Sequence, residues 1–371
     1  MKYYIIAGEA SGDLHGSNLM KAILVKDPTA EIRFWGGDLM QNVGGTLVKH
    51  YRDLAFMGFA EVIMNLRTIL GNISVCKKDI LEFQPDTLIY IDYPGFNMRI
   101  AKWAKKLGIQ NQYYISPQIW AWKENRIKEI KRDVDKMYVI LPFEKDFYEK
   151  KHHFPVEFVG HPLIDAISNR EKTTFEKFTS ENKLSQKPII ALLPGSRKQE
   201  IEKMLSIMLS VVDKFSEYQF VIAGAPSQDY EFYKQFLTTE NVNFVSNKTY
   251  DLLSISHAAL VTSGTATLET ALFKVPQIVC YKANRISYEI AKRIITLKFI
   301  SLVNLIMDKE VVKELIQKEL NTKNLELELN KIISGNQRQE MLSQYEVLEQ
   351  KLGGKGASST TANLIINAIK K

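Results

Sequence analysis

Residues 3–13 read YYIIAGEASGD: a short apolar run, a turn of small residues, and the start of a helical pattern. This order predicts a strand that runs through a tight turn into a helix, the first unit of a parallel α/β sheet. Backbone N–H groups at such a turn, together with the helix dipole, favour an anionic or polar ligand. A tight turn explains Gly8 and Gly12, but it does not explain Glu9.

The same strand and helix alternation runs through the rest of the chain and begins again after a polar stretch near residues 169–187. The predicted strands are Tyr3–Ala7, Ile32–Trp35, Leu88–Ile91, Gln112–Ile115 and Met137–Leu141, then Ile189–Leu193, Phe220–Ala223, Val242–Val245, Ala259–Thr262 and Gln277–Tyr281. We expect an α/β protein with two Rossmann-like domains, residues 1–168 and 169–350, facing a cleft that holds a nucleotide-linked donor. The chain beyond Glu310 is predicted to be mostly helical, and its last segment, residues 351–371, is predicted to contain a final helix, Ala357–Ile369, that docks back on the first domain.

Composition indicates an ordinary globular protein, with 45% hydrophobic and 25% charged residues among 371. The two cysteines, Cys76 and Cys280, lack the spacing of a metal site, and a reducing, cytoplasmic compartment fits them best. The chain starts directly with a strand, so no export signal is expected, and no apolar run is long enough to span a membrane. The net charge of +7 favours an anionic partner, but no nucleic-acid-binding motif accompanies it.

Two further turns follow predicted strands of the second half. Gly195, Ser196 and Arg197 follow one strand, and the other is followed by Ser263, Gly264, Thr265 and Ala266, with Glu269 one turn into the next helix. Ligands bind at the carboxyl ends of strands in open α/β sheets, and small residues there let the backbone approach a diphosphate. Glu269 could accept hydrogen bonds from a ribose diol, or it could simply be a carboxylate favoured by the helix dipole.

Asp92 follows a predicted strand of the first half, at the start of the sequence Asp92-Tyr93-Pro94-Gly95-Phe96-Asn97. A carboxylate at a strand end that faces a cleft suits a general base, while a turn-forming role is the competing interpretation. The D-x-D string at Asp133 and Asp135 precedes a strand instead of following it. We therefore interpret that string as a solvated turn and expect no metal site.

The apolar segment from Phe56 to Leu70 has helical spacing, which is typical of a core-facing helix. Its wide apolar face is also compatible with binding a lipid or a membrane surface. The residues assigned to this lipid hypothesis are Phe56, Met57, Phe59, Val62, Ile63 and Leu66.

Seven strings in order resemble the lipid-A-disaccharide synthase family, inverting glycosyltransferases of the two-domain GT-B type. They are Gly8–Asp13, Met57–Val62, Ser116–Pro117 with Trp120–Trp122, Leu141–Glu144, Phe158–Pro162, Leu193–Arg197 and Ser263–Glu269. The resemblance runs nearly from end to end.

This resemblance implies transfer of 2,3-diacylglucosamine from its UDP derivative to the 6-hydroxyl of 2,3-diacylglucosamine 1-phosphate, with no cofactor. It implies that Ser263, Gly264 and Thr265 hold the diphosphate, that Glu269 holds the ribose, and that Arg197 meets the charge on departing UDP. It places Asn304 near the nucleotide, and Ser11 and Asn97 with the acceptor. It also implies peripheral association with the cytoplasmic face of the inner membrane, and it leaves an oligomer open.

The chain departs from the family pattern at two positions. Val303 replaces a usual proline, and Gly95 replaces a carboxylate in a string that often reads D-x-P-D-F-N. Because glycine cannot take a proton, we expect Asp92 to be the base and Glu9 to be the second candidate.

Two other functions remain open at this point, because a fold does not fix a reaction. One is a UDP-N-acetylglucosamine 2-epimerase, which would not need an acyl-binding segment. The other is a catalytically silent nucleotide-sugar-binding protein, which would keep its ligand affinity when Asp92 or Glu9 is replaced.

Overall fold

The computed structural model describes residues 1–54, 66–225, 228–237, 239–283 and 298–370. The chain divides into two compact units. The first consists of Met1–Ser168 with Leu352–Lys371, and the second of Asn169–Lys351.

The first unit is built on a parallel sheet of seven strands among its described residues, in the order β3-β2-β1-β4-β5-β6-β7. The strands are β1 Lys2–Ala7, β2 Glu31–Gly36, β3 Thr46–His50, β4 Thr87–Ile91, β5 Gln110–Tyr114, β6 Lys136–Val139 and β7 Glu157–Phe158. The central strands β1 and β4 are buried along almost their whole length, as expected for a sheet covered on both faces.

Helices alternate with these strands. The α-helices are α1 Ala10–Lys26, α2 Asp38–Val43, α3 Leu66–Phe83, α4 Pro94–Lys106, α5 Ile127–Asp133, α6 Pro142–Asp146 and α7 Pro162–Ser168. Short 3₁₀ turns occupy Tyr51–Asp53 and Glu124–Arg126, and a π turn occupies Phe147–Lys151.

The second unit repeats this plan with a parallel sheet ordered β10-β9-β8-β11-β12-β13 over its described residues. The strands are β8 Ile189–Leu193, β9 Gln219–Gly224, β10 Val242–Ser246, β11 Ala258–Thr262, β12 Gln277–Tyr281 and β13 Lys313–Ile316. The α-helices are α8 Phe175–Glu181, α9 Lys198–Met208, α10 Tyr230–Lys234, α11 Thr249–Ile255, α12 Thr265–Leu272, α13 Leu302–Met307, α14 Thr322–Ile333 and α15 Gly335–Lys351, with a 3₁₀ turn at Leu209–Lys214.

The last helix, α16 at Ala357–Ile369, packs on α1 and α7 of the first unit. Its N-terminus is tied down by Asp165, whose carboxylate accepts hydrogen bonds from the backbone N–H groups of Gly356 (2.7 Å) and Ser358 (2.9 Å). This buried carboxylate satisfies amides that a helix start leaves without partners, and the helix dipole favours its charge.

The predicted α/β class with two Rossmann-like sheets is confirmed. The chain beyond Glu310 is mostly helical, as predicted, but it also contains β13, and the sequence reasoning missed β3 and β7 as well. All three are short edge strands with mixed or partly exposed side chains, so they lack the apolar run that marks a central strand. In the described part of the chain no helix combines the length and the apolar character needed to cross a lipid bilayer.

Candidate functional site

In the first sheet, β1 and β4 are neighbours, and the register pairs Ala7 with Ile91. The strand order reverses between these two strands, so the turns that leave them diverge and open a crevice at the carboxyl edge. Glu9 lies in the first turn and Asp92 in the second. Burial and, to a smaller extent, the neighbouring charge of Glu9 together raise the pKa of Asp92 to about 6.

Asp92 lies in a turn with unusual backbone geometry. Asp92 and Tyr93 both have positive φ, 45° and 49°, a left-handed conformation that costs free energy for residues with side chains. The carbonyl oxygen of Asp92 accepts hydrogen bonds from the side-chain amide of Asn97 (2.7 Å) and the hydroxyl of Tyr113 (2.6 Å), which hold the turn in place. The ring of Tyr93 occupies the space that a side chain at Gly8 would need, so the two turns fit together only with glycine there.

The two residues assigned to the acceptor differ in their surroundings. Ser11 is exposed in the first turn of α1. Asn97 is completely buried, and its amide donates to backbone carbonyl oxygens at the ends of β1 and β4. These contacts support a positioning role for Asn97 toward Asp92, whereas direct contact with the acceptor stays a prediction.

The segment with Ser116 and Trp120 is fastened by the buried carboxylate of Glu144. One carboxylate oxygen accepts hydrogen bonds from the Ser116 hydroxyl (2.6 Å) and the Trp120 indole (3.2 Å). The other accepts from the backbone N–H groups of Ile140 (3.1 Å) and Leu141 (2.9 Å). Burial raises the pKa of Glu144, and these donors oppose that rise. The strand β6 ends at Val139, two residues earlier than predicted. The backbone amides of Ile140 and Leu141 donate to the Glu144 carboxylate and not to a neighbouring strand.

The second sheet reverses its order between β8 and β11, and a cavity of about 260 Å³ lies there. Its lining includes Gly195 and Ser196 after β8, the run Ser263–Ala266 after β11, and Glu269 on α12. The described structure thus brings together seven of the nine residues that the sequence assigned to the UDP-sugar, and Glu269 is the carboxylate among them. Whether they bind a UDP-sugar stays a prediction.

Glu269 is partly buried in this lining and receives a hydrogen bond of 2.8 Å from the hydroxyl of Tyr250. Burial raises the pKa of Glu269, and the Tyr250 bond opposes the rise. A carboxylate with a fixed donor on one oxygen keeps further lone pairs for a diol.

Two residues assigned to the UDP-sugar do not line the cavity. Arg197 is exposed and stands just before α9. Asn304 is fully buried, where its amide donates to Val312 O (2.8 Å) and Glu314 Oε1 (2.9 Å) and its oxygen accepts from the amides of Val311 (2.7 Å) and Val312 (3.0 Å). These bonds use the whole hydrogen-bonding capacity of Asn304 to hold the segment between α13 and β13.

Sequence reasoning missed several residues of this cavity. Glu200 and Thr249 line it, and Glu200 accepts a hydrogen bond of 3.3 Å from the backbone N–H of Ser196. Thr262 also lines it, and its buried hydroxyl has no hydrogen-bond partner among the described residues. The position of Thr262 at the end of β11 was the available signal, whereas Thr249 begins α11 after the edge strand β10, three places from β11 in the sheet.

Five of the residues assigned to lipid, namely Phe56, Met57, Phe59, Val62 and Ile63, lie outside the described residues. The sixth, Leu66, begins α3. Asp133 and Asp135 stand at the amino end of β6, where Asp133 pairs with Arg132 and Asp135 pairs with Lys105. Within the described ranges no group of three or more histidine, cysteine or acidic side chains is placed to hold a metal ion.

Comparison with known proteins agrees with this architecture. The family model for lipid-A-disaccharide synthetase matches residues 3–366. The lipid-A-disaccharide synthase of Syntrophus aciditrophicus is 39% identical over 380 residues, covering 99% of this chain and 97% of that protein.

Two solved structures show the same fold. UDP-GlcNAc 2-epimerase from Neisseria meningitidis, bound to UDP-GlcNAc, superposes with a TM-score of 0.69 at 15% identity, covering 99% of this chain and 100% of that one. The glycotransferase of kitacinnamycin has a TM-score of 0.66 at 12% identity, covering 99% and 98%.

The epimerase alternative is not favoured, because likeness at such low identity shows the fold alone, whereas the sequence match extends over almost the whole chain. That match shows that the chain belongs to the lipid-A-disaccharide synthase family and is a glycosyltransferase of lipid A synthesis.

Proposed function

We propose that the chain transfers 2,3-diacylglucosamine from its UDP derivative to the 6-hydroxyl of 2,3-diacylglucosamine 1-phosphate, with inversion and with Asp92 as the base. One observation carries this proposal. Asp92 is a partly buried carboxylate beside Glu9, at the reversal point of the first sheet, with a pKa raised to about 6. A carboxylate with that pKa is largely ionised at pH 7 and is a stronger base than an ordinary aspartate.

The reaction follows from this assignment. Asp92 takes the proton of the acceptor 6-hydroxyl while the oxygen of that hydroxyl attacks the anomeric carbon of the donor. The new C–O bond forms on the face opposite the departing UDP, so the configuration inverts. The bonding pair of the broken C–O bond leaves with UDP. Glu9 keeps the pKa of Asp92 raised and is the second candidate for the base.

We assign the UDP group to the cavity of the second unit. Ser263, Gly264 and Thr265 precede or begin α12, whose first amides and dipole suit a diphosphate. Among the described lining residues the charged groups are the carboxylates of Glu200 and Glu269, with no lysine or arginine. The charge of a diphosphate therefore needs a cation from outside the lining, and the adjacent Arg197 is our candidate.

We further propose that the protein works at the cytoplasmic face of the inner membrane without crossing it. Both proposed substrates carry acyl chains, and a net charge of +7 favours an anionic lipid surface. The apolar residues Phe56, Met57 and Phe59 are our candidates for acyl contact. Flotation with vesicles of phosphatidylcholine, with and without phosphatidylglycerol, tests this part, and we expect binding that weakens with salt.

The deciding test incubates the purified full-length chain with both acylated substrates in the presence of EDTA and follows UDP and the disaccharide. We expect both products in equal amounts. A parallel reaction with UDP-N-acetylglucosamine alone is expected to leave it unchanged, whereas an epimerase would convert it to its C2 epimer. Protein that is folded and binds UDP, yet forms neither product with any acyl length, would contradict the proposal.

A further inference from the structure

A second cavity lies in the first unit, between α4 and α5, and its volume is about 490 Å³. This volume is in the range of small-molecule sites. Its cationic lining residues are Arg99, Lys102, Lys123, Arg126 and Arg132. The acidic residues of the lining are Glu129 and Asp133, so positive side chains outnumber negative ones by five to two.

Most of this positive charge is not neutralised within the described part of the chain. Arg132 is engaged, because it forms two hydrogen bonds with the buried carboxylate of Asp133, at 2.6 and 2.7 Å. Lys123 lies 4.4 Å from the centre of the Trp122 ring. Arg99, Lys102 and Arg126 form no ion pair with any described residue. A cavity with this composition attracts an anion with more than one negative charge.

The position of the cavity connects it to the candidate base. Pro94 and Gly95 form part of the lining, and they follow the Asp92–Tyr93 turn directly. They are also the first residues of α4, and Tyr93 provides that helix with no side-chain cap. The positive end of the helix dipole therefore adds to the cationic side chains. An anion bound at this end of the cavity would lie beside Pro94 and Gly95, which are two and three positions after Asp92 in the chain.

We propose that this cavity binds the phosphate group of the acceptor. This inference rests on the proposed function, in which the acceptor is a sugar 1-phosphate whose reacting 6-hydroxyl belongs to the same sugar. A phosphate monoester carries nearly two negative charges at pH 7 and three acceptor oxygens, which match Arg99, Lys102 and Arg126. The cavity would hold the 1-phosphate of the acceptor and Asp92 would hold its 6-hydroxyl, so that two contacts orient one sugar for reaction.

A phospholipid headgroup offers the same phosphate chemistry, so the experiment has two arms. In the first arm, calorimetry measures binding of glucosamine 1-phosphate and of glucosamine to the full-length chain and to Lys102→Gln, Arg126→Gln and Lys106→Gln. Lys106 is the matched control, an exposed lysine on the same helix that does not line the cavity. In the second arm, the same variants are floated with phosphatidylcholine vesicles that contain phosphatidylglycerol.

We expect Lys102→Gln and Arg126→Gln each to weaken glucosamine 1-phosphate binding about 10-fold, since each removes a charge-assisted hydrogen bond. Lys106→Gln should bind as the natural chain does, and glucosamine should bind weakly to all. In turnover assays the cavity variants should raise the acceptor KM and leave the donor KM unchanged.

Equal affinity of all variants for glucosamine 1-phosphate would overturn the proposal. Loss of vesicle binding in the cavity variants with unchanged glucosamine 1-phosphate affinity would also overturn it, and would assign the cavity to a phospholipid headgroup. The calorimetric arm needs no turnover, so a failure of the proposed reaction is distinguishable from a failure of this site.

Discussion

The hydroxyl of Tyr250 donates a hydrogen bond of 2.8 Å to Oε1 of Glu269, a residue that lines the cavity of the second unit. Burial raises the pKa of Glu269, and this bond opposes the rise by favouring the charged form. Tyr250 is therefore the residue that keeps Glu269 available as an acceptor for a ribose diol. It follows the edge strand β10, three places from β11 in the sheet, so the order of strands along the chain did not predict that Tyr250 and Glu269 meet.

Replacing Tyr250 with phenylalanine should raise the pKa of Glu269 and weaken donor binding. The reason is that protonated Glu269 accepts hydrogen bonds from a diol less well than the carboxylate does. Calorimetry measures UDP affinity at a series of pH values. As the pH is lowered, the affinity should begin to fall at a higher pH in Tyr250→Phe than in the natural chain. The exposed Tyr230 serves as control, and Tyr230→Phe should change nothing. Identical UDP titrations for all three proteins would remove Glu269 from the ribose site.

Gly95 and Gly8 should respond oppositely to replacement by alanine. A Cβ at Gly95 meets no atom within 4 Å. Gly95→Ala should therefore stabilise the protein by about 0.4–1 kcal/mol, because alanine lowers the conformational entropy of the unfolded chain. A Cβ at Gly8 would overlap the ring of Tyr93, so Gly8→Ala should destabilise the protein and disturb the turn that holds Asp92. Urea denaturation gives both free energies of unfolding. A stability loss in Gly95→Ala similar to that in Gly8→Ala would contradict the described packing of these turns.

Asn304 should contribute to stability more than to nucleotide binding. Asn304→Ala leaves the carbonyl of Val312, the amides of Val311 and Val312, and the carboxylate of Glu314 without this partner. Each buried group left unsatisfied costs about 1–3 kcal/mol, so the free energy of unfolding should fall by at least that amount. Urea denaturation and UDP titration at a temperature where the variant is folded separate the two roles. Unchanged stability with lost UDP affinity would restore Asn304 to the binding site.

Much of the fold follows from sequence because the central strands are continuous apolar runs flanked by helical patterns. Ile189–Leu193 and Gln277–Tyr281 are strands with the predicted ends, and the final helix also begins at Ala357 and ends at Ile369. The edge strands β3, β7 and β13 were missed because their side chains alternate little and are partly exposed, whereas the edge strand β10 was predicted. The chain order of strands then predicts which turns share an edge, so the turns with Glu9 and Asp92 were identified from sequence alone.

The rest of the site depends on contacts between residues that are distant in sequence. Asp13 illustrates this, because an acidic residue in the first turn of α1 is typical of a helix start. Instead, its buried carboxylate accepts hydrogen bonds from the backbone N–H groups of Gly37 (2.8 Å), Leu39 (3.0 Å) and Met40 (3.0 Å), and so caps α2. The cationic cavity has the same origin, since its side chains come from α4, α5 and the segment between them. Neither spacing nor periodicity shows that these elements meet.

The most direct test of the central claim is the pH dependence of kcat/KM for the natural chain, Asp92→Asn and Glu9→Gln. With Asp92 as the base, the rate of the natural chain should rise with pH through about 6 and then level off, because the carboxylate must be ionised. Asp92→Asn should lose about 10²–10⁴-fold. Glu9→Gln should keep substantial turnover, with its acid limb at lower pH, because the negative charge that helps to raise the pKa of Asp92 is gone. Full activity in Asp92→Asn together with loss of turnover in Glu9→Gln would contradict the assignment and make Glu9 the base.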